Sequence, residues 1–419
     1  MHIILLGTLD TKRSEVLYLR EQLTRTAELL AQPLQITLID CGCRPVTDNA
    51  ITIPQTELIK NYATEPNHPK EPWTLPRGEA IQYISSCAKE CVSALLLGQV
   101  HGIIGTGGSG GTSLISAVMR DAAPIGLPKF IVSTIASGNT GSVVGECDIT
   151  LMYSVVDIAG SNQLLKDVLG NAAGAICGMA AAYQKRLEEE TKPESKTRVG
   201  ITMFGVTTPC VDAVRKHLEE NYSVEVYVFH ATGHGGKAME RLVAEGQLDA
   251  ILDLTTTEIC DLVAGGEMSC DETRLEATLR RGIPNIISVG ATDMVNFGPK
   301  VSVPSKYRER KLVAHNPSVT LMRTSAEDCR AVGNFIVDKV KTLNVEEEMV
   351  EVWLPKGGVS GISTKGAVFE DRDADTALFD TLKSGLEGRV RIVEDQREIN
   401  HERFAVDIAD RLMALVNLD

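Results

Sequence analysis

Gly105-Thr-Gly-Gly-Ser-Gly-Gly-Thr-Ser113 follows the short apolar run Val100-His-Gly-Ile-Ile104 and leads into Leu114-Ile-Ser-Ala-Val-Met119. That order reads as strand, glycine-rich turn and helix. Five glycines between 105 and 111 make a poor packing element, because glycine loses the most backbone freedom on folding and buries no side chain. Their use is to let backbone N–H groups converge on one concavity at a helix N-terminus, where partial positive charge collects. The guest this predicts is a phosphate or carboxylate; a bland tight turn is the alternative. Gly105, Gly107 and Gly110 also satisfy G-x-G-x-x-G, but the dinucleotide fingerprint needs an acidic residue ending the next strand. The next apolar run, Lys129-Phe-Ile-Val-Ser-Thr134, continues into Ile-Ala-Ser-Gly-Asn139 without a carboxylate, and no P-loop Lys-Ser or Lys-Thr follows the glycines. The loop therefore points to phosphate more clearly than to NAD.

Outward from this loop the first half alternates strands and helices. His2–Leu6 reads as a strand, Gly7-Thr-Leu-Asp-Thr-Lys12 as a loop capped by Thr11, residues 14–30 as a helix, and Gln35–Ile39 as a strand ending at Asp40. Asp40 stands where a doubly wound nucleotide fold places its ribose-binding acid; an acidic strand end turned to water is the alternative. Residues 51–77 carry five prolines and read as a surface excursion. A helix is predicted over 78–97, then the glycine loop and its helix, strand 129–134, a loop through Ser137, Gly138 and Asn139, and strand 148–153. A long helix over 162–189 sets Gly170, Gly174, Gly178 and Ala182 on one face, a bare stripe suited to close approach across a domain junction or subunit interface. The charged tract around 191–198 marks the boundary between domains over 1–190 and 199–419.

The second half repeats the first. Arg198–Cys210 mirrors the opening strand and loop, and Gly282-Ile-Pro-Asn-Ile-Ile-Ser288 answers Gly126-Leu-Pro-Lys-Phe-Ile-Val-Ser133. Further strands are predicted at 319–323, 350–354 and 389–393, with a closing helix over 402–416. The fold class is thus α/β, two doubly wound Rossmann-like domains with mostly parallel sheets and a duplicated architecture. At the glycine loop's counterpart, Leu254-Thr-Thr-Thr-Glu-Ile259, hydroxyls and a carboxylate replace the glycines. In Phe229-His-Ala-Thr-Gly-His-Gly-Gly-Lys-Ala-Met-Glu240, the glycines argue against a helix that would set His230 and His234 on one face. A second phosphate or carboxylate nest, with Lys237 opening a helix behind it, and a two-histidine metal site are the readings.

The chain has 419 residues, 43% apolar and 23% charged, enough for two domains. Its net charge of −14, from 56 acids against 42 Lys and Arg, argues against nucleic acid and anionic membranes as partners. No run reaches the length of a membrane span, and the opening Met1–Gly7 reads as a strand rather than a signal peptide. Ten scattered cysteines without a C-x-x-C pair fit reduced thiols in a cytoplasmic protein better than a zinc or disulfide framework.

Several stretches together are similar to one family, the largely uncharacterised ATP-binding family typified by the N-terminal inhibitory domain of the tomato mosaic virus resistance protein. They are Gly7–Lys12, Gly105–Thr112, Met152-Tyr-Ser-Val-Val-Asp-Ile-Ala-Gly160, Asn171-Ala-Ala-Gly174, Thr202-Met-Phe-Gly-Val-Thr-Thr-Pro209, Phe229-His-Ala-Thr-Gly233, Asp293-Met-Val-Asn-Phe297, His315-Asn-Pro317 and Thr320-Leu-Met-Arg-Thr324. The resemblance runs essentially end to end. It implies two α/β domains, ATP binding chiefly in the first, and a homodimer. Arg13 stands where glycine usually follows the Asp-Thr-Lys, and Glu267–Asp271 replaces a glycine-rich stretch.

On this reading ATP, with Mg²⁺, is expected at Gly7, Thr8, Asp10, Thr11, Lys12, Asp40, Gly107, Gly108, Ser109, Gly110, Gly111, Thr112, Ser137, Gly138 and Asn139. The amides would cradle phosphates, while Lys12 and the hydroxyls add donors or help hold the metal. Glu258, His230, His234 and Asp293 are the candidates for chemistry on an unknown small-molecule substrate in the inter-domain cleft, although each alone has a structural reading too. An ATP-dependent enzyme of small-molecule metabolism is the leading function. A non-catalytic, nucleotide-gated protein-binding module is the alternative, and a two-lobed solute receptor is disfavoured by the missing signal peptide.

Overall fold

The computed structural model describes residues 1–64, 70–160, 162–189, 196–343 and 346–417. The chain divides into two units, Met1–Pro193 and Glu194–Asp419. Of the charged tract expected as a linker, residues 191–195 lie outside the described residues, and Thr197 and Arg198 already belong to a strand.

The first unit contains β1 (His2–Gly7), α1 (Leu9–Leu29), β2 (Gln35–Asp40), α2 (Gln55–Tyr62), α3 (Arg77–Leu95), β3 (Gly102–Gly107), α4 (Ser109–Ala122), β4 (Lys129–Ser133), α5 (Gly141–Val144), β5 (Thr150–Tyr153) and α6 (Gln163–Glu189). Its five strands are parallel in the order β2-β1-β3-β4-β5. The unbroken apolar run of β1 suits a strand covered on both faces. Ile4 and Leu6 join a core with α3 and α4, while Ile3 and Leu5 join a core with α1 and α6. Two of the glycines are needed for packing. A Cβ on Gly105 would lie 2.8 Å from Ile115 and 2.9 Å from Leu6 O, and one on Gly107 would lie 2.8 Å from Gly111 Cα.

Several elements differ from the expectations. Strand β3 runs on to Gly107 and α4 starts at Ser109, so the glycine-rich stretch is mostly strand end and first helical turn, with Gly108 alone as the cap. Helix α1 begins at Leu9, after Thr8 rather than Thr11, with a non-helical Lys12 (φ −131°) in its first turn. The excursion 51–77 contains α2, because Leu58 and Ile59 are buried against Tyr83, Cys87 and Val92 of α3. On α6, Leu165, Leu169, Ala172, Ile176 and Ala180 face the core, and a Cβ on Gly170, Gly174 or Gly178 would meet nothing within 4 Å.

The second unit contains β6 (Thr197–Met203), α7 (Thr208–Asn221), β7 (Val224–His230), α8 (His234–Ala244), β8 (Ala250–Thr255), α9 (Thr257–Ala264), α10 (Glu276–Arg281), β9 (Asn285–Gly290), β10 (Met294–Phe297), β11 (Leu312–Asn316), β12 (Val319–Arg323), α11 (Ala326–Leu343), β13 (Val350–Pro355), α12 (Arg372–Leu386), β14 (Arg391–Asp395) and α13 (Glu402–Val416). Its main sheet has six parallel strands ordered β7-β6-β8-β9-β13-β14. Counted along this unit the order is 2-1-3-4-5-6, the first unit's order with one strand added. A small antiparallel sheet, β10-β12-β11, is inserted after the fourth strand. Among the described residues no helix is long and apolar enough to cross a membrane.

Candidate functional site

In each unit the chain leaves the first strand for the second, then returns to the other side of the first. The carboxyl ends of β1 and β3, and of β6 and β8, therefore flank the point where open α/β sheets bind ligands.

In the first unit that point holds Gly7, Thr8 and the stretch 107–112. The first α-helical bond of α4 runs from Thr112 N–H to Gly108 O at 2.8 Å, and no side chain caps the helix. The amides of Ser109, Gly110 and Gly111 thus lie ahead of the hydrogen-bonded helix. A Cβ on Gly108 would have Thr134 Oγ1 as its nearest atom, at 3.8 Å, so a side chain at this position would meet no close neighbour. Arg77, the exposed first residue of α3, brings its Nη2 within 3.5 Å of a Cβ placed on Gly110. Sequence reasoning passed over this arginine; the Pro76-Arg77 helix start was its signal, but nothing in the sequence brings α3 to α4. Ser109 is exposed, and Thr8 Oγ1 and Thr11 Oγ1 lie 3.2 Å apart beside the opening.

Other expected residues turn out to be internal fasteners. Thr112 is fully buried, its hydroxyl 2.7 Å from Ser133 Oγ and 3.2 Å from Gly107 O, so it ties α4 to β4 instead of facing a ligand. Asp10 accepts from the amides of Cys43 (2.9 Å) and Arg44 (3.1 Å) and anchors the loop after β2. Asp40 is also fully buried and accepts from Leu9 N–H (3.2 Å) and Gly42 N–H (2.9 Å). Burial raises its carboxyl to about 6, and its Oδ2 has no partner. An inward carboxylate there cannot reach a ribose. Arg13 pairs with Asp48 at 2.5 Å, so the departure at this position pins the same loop. Ser137, Gly138 and Asn139 are exposed, and Asn139 Oδ1 accepts from Gly141 N–H at 3.1 Å.

The second unit is built differently at the same place. Glu258 is the second residue of α9, as Gly110 is of α4. Its side chain is fully buried and accepts from the amides of Gly233 (2.6 Å) and Gly236 (3.1 Å) at the start of α8. The expected second nest is therefore a carboxylate nest whose carboxylate is the chain's own. Helix α8 begins at His234, three residues before the expected start at Lys237. It tolerates Gly235 and Gly236 in its first turn because any Cβ there would strike His230 O (2.0 Å) or Glu258 Oε2 (2.1 Å). Behind Glu258 lies Arg274, also buried, bonded to Glu258 (2.9 Å), to both oxygens of Asp253 (2.6 and 2.7 Å) and to Glu240 (3.3 Å). Burial works against the guanidinium's charge, but Asp253 and Glu258 hold it protonated; burial also raises the carboxyl of Glu240.

The four catalytic candidates differ in burial: Glu258 and Asp293 are fully buried, His230 and His234 exposed. Asp293 is fully buried after β9, accepts from Ser360 Oγ at 2.8 Å, and is raised by burial to about 6. His230 and His234 are exposed, and the His230 ring stacks on Phe204 with centroids 5.6 Å apart. The carboxylates face inward and the imidazoles outward. Among the described residues no group of three or more His, Cys, Asp or Glu side chains is placed to hold a metal ion.

Comparison with known proteins places this arrangement. Residues 1–185 match the N-terminal domain, and residues 196–416 the C-terminal domain, of "Uncharacterised protein family (UPF0261)". The chain is 40% identical to a UPF0261 protein of Clostridium tetani, covering 99% of this chain and 98% of that one. It is 41% identical to a UPF0261 protein of Rhizobium meliloti, covering 96% of each. It is also 39% identical to the ToMV resistance protein Tm-1(GCR237) of Solanum lycopersicum, over 99% of this chain but only 55% of the tomato protein. By both domains and by near full-length identity, the chain belongs to the uncharacterised protein family UPF0261.

Proposed function

We propose that the first unit binds the phosphates of ATP at the carboxyl ends of β1 and β3. The observation that carries this reading is the open, uncapped start of α4. Three amides precede its first helical bond, space remains in front of Gly108, and the Arg77 guanidinium stands beside Gly110. Converging N–H groups with the helix dipole and a guanidinium favour a multiply charged anion. The carboxylates nearby are committed to backbone amides, so Mg²⁺ would take most of its ligands from phosphate and water, with the Ser109, Thr8 or Thr11 hydroxyls adding to them, as this ion prefers.

Gly108→Asp tests the site. Its backbone (φ −71°, ψ −165°) accepts an L side chain, and Asp is a favoured cap, so the fold survives. The new carboxylate would occupy the phosphate position and weaken Mg-ATP binding by about a hundredfold, roughly 2.7 kcal/mol. Unchanged affinity by calorimetry would remove the assignment.

Burial of Glu258 and Asp293 favours a second reading, nucleotide-gated binding without turnover. A general acid or base must reach the proton it moves, and neither carboxylate is accessible. Sustained ATP consumption stimulated by any compound of a metabolite panel would exclude it.

A further inference from the structure

We infer that Tyr153 is the stacking platform for the base of the nucleotide, an inference that rests on the phosphate site proposed above. Sheet register supplies the geometry. Gly107 of β3 pairs with Ser133 of β4, and Ser133 pairs with Tyr153 of β5, so the three form one row at the carboxyl edge of the sheet. Ser133 Oγ bonds Thr112 of α4, which sets its side chain on the α4 face. In-register neighbours of parallel strands point to the same face, so Tyr153 shares the face on which the open helix start lies. Two strand spacings separate Tyr153 from Gly107, about 10 Å, a distance that a ribose and its phosphate link can bridge.

The surroundings suit a planar apolar guest. Tyr153 is 41% exposed on the edge strand, and Ile135 (37%) and Val155 (57%), each two residues beyond the row along its chain, are exposed too. Val155 is held at φ +64°, a conformation β-branched residues avoid, by a turn in which Val156 N–H donates to Ser154 O at 2.7 Å. Ser154 is itself fully buried, its Oγ donating to Val156 O at 2.6 Å. The strained turn leaves Val155 exposed two residues after Tyr153. An aromatic ring offers any base a π-face, so the platform favours nucleotides over inorganic polyphosphate without choosing strongly among bases.

Calorimetry on the full chain with Mg²⁺ and ATP, GTP or inorganic tripolyphosphate tests this. Tyr153→Ala should weaken ATP and GTP about tenfold and leave tripolyphosphate unchanged, while Tyr153→Phe keeps wild-type affinity. If Tyr153→Ala binds ATP like the wild type, or loses tripolyphosphate equally, the platform is wrong even though the phosphate site, judged by Gly108→Asp, stands. If Gly108→Asp changes neither ligand, the phosphate site fails and the platform with it.

Discussion

Two glycine-rich helix starts, one in each unit, have opposite fillings. At Gly108–Gly111 the start of α4 has no side-chain cap, and the Arg77 guanidinium stands beside Gly110. At Gly233–Gly236 the amides of α8 receive the carboxylate of Glu258, itself locked to buried Arg274. The filled site expresses the preference of a helix N-terminus for negative charge, and the proposed phosphate site would express it too. The difference is that one unit supplies the anion from its own sequence, at the position where the other has Gly110. At Gly233–Gly236 the anion is internal; at Gly108–Gly111 the proposal supplies it from a ligand.

Predictions that probe this contrast begin with the filled nest. Arg274→Ala would leave Asp253, Glu258 and Glu240 buried without their cation and should destabilise the second unit by about 3–5 kcal/mol, read as a large fall in the urea midpoint. In the open nest the corresponding cation is dispensable to the fold. Arg77→Ala should leave stability unchanged and weaken ATP about tenfold, roughly 1.4 kcal/mol, measured by calorimetry; an unchanged affinity would leave the amides acting alone. Gly108→Asp, in these terms, gives the first unit the self-filled arrangement of the second.

A further effect concerns pH. Asp40, at the end of β2, is raised to about 6 by burial, so the folded chain holds its proton more tightly than the unfolded chain does. Stability from this group is therefore lost as pH rises from about 4, the unfolded value, to about 6, by about 1.4 kcal/mol per pH unit. Asp40→Asn preserves an acceptor for Leu9 and Gly42 and should flatten that part of the profile. Urea midpoints between pH 4.5 and 7.5 check it.

Much of this was legible in sequence, for identifiable reasons. The Gly-hydrophobic-Pro repeat marks the fourth strand of each sheet, β4 and β9, and both glycines adopt positive φ (+92° at Gly126, +62° at Gly282), which explains why glycine stands there twice. The closing helix predicted over 402–416 is found at Glu402–Val416. The inward turn of Asp10, Asp40 and Thr112 was not legible, because a polar residue at a strand or helix end looks the same whether it faces a ligand or a neighbouring amide. Arg274 was invisible for a related reason. It meets Glu258 from the irregular stretch before α10, and no periodic pattern records such a pairing.

The most direct measurement is amide hydrogen exchange over both nests, with and without Mg-ATP. Exchange across 105–113 should slow as the α4 amides gain phosphate partners, with no change across 229–240, where Glu258 already accepts from the amides of Gly233 and Gly236. Protection confined to 229–240, or none at 105–113 at saturating ATP, would contradict the proposed phosphate site.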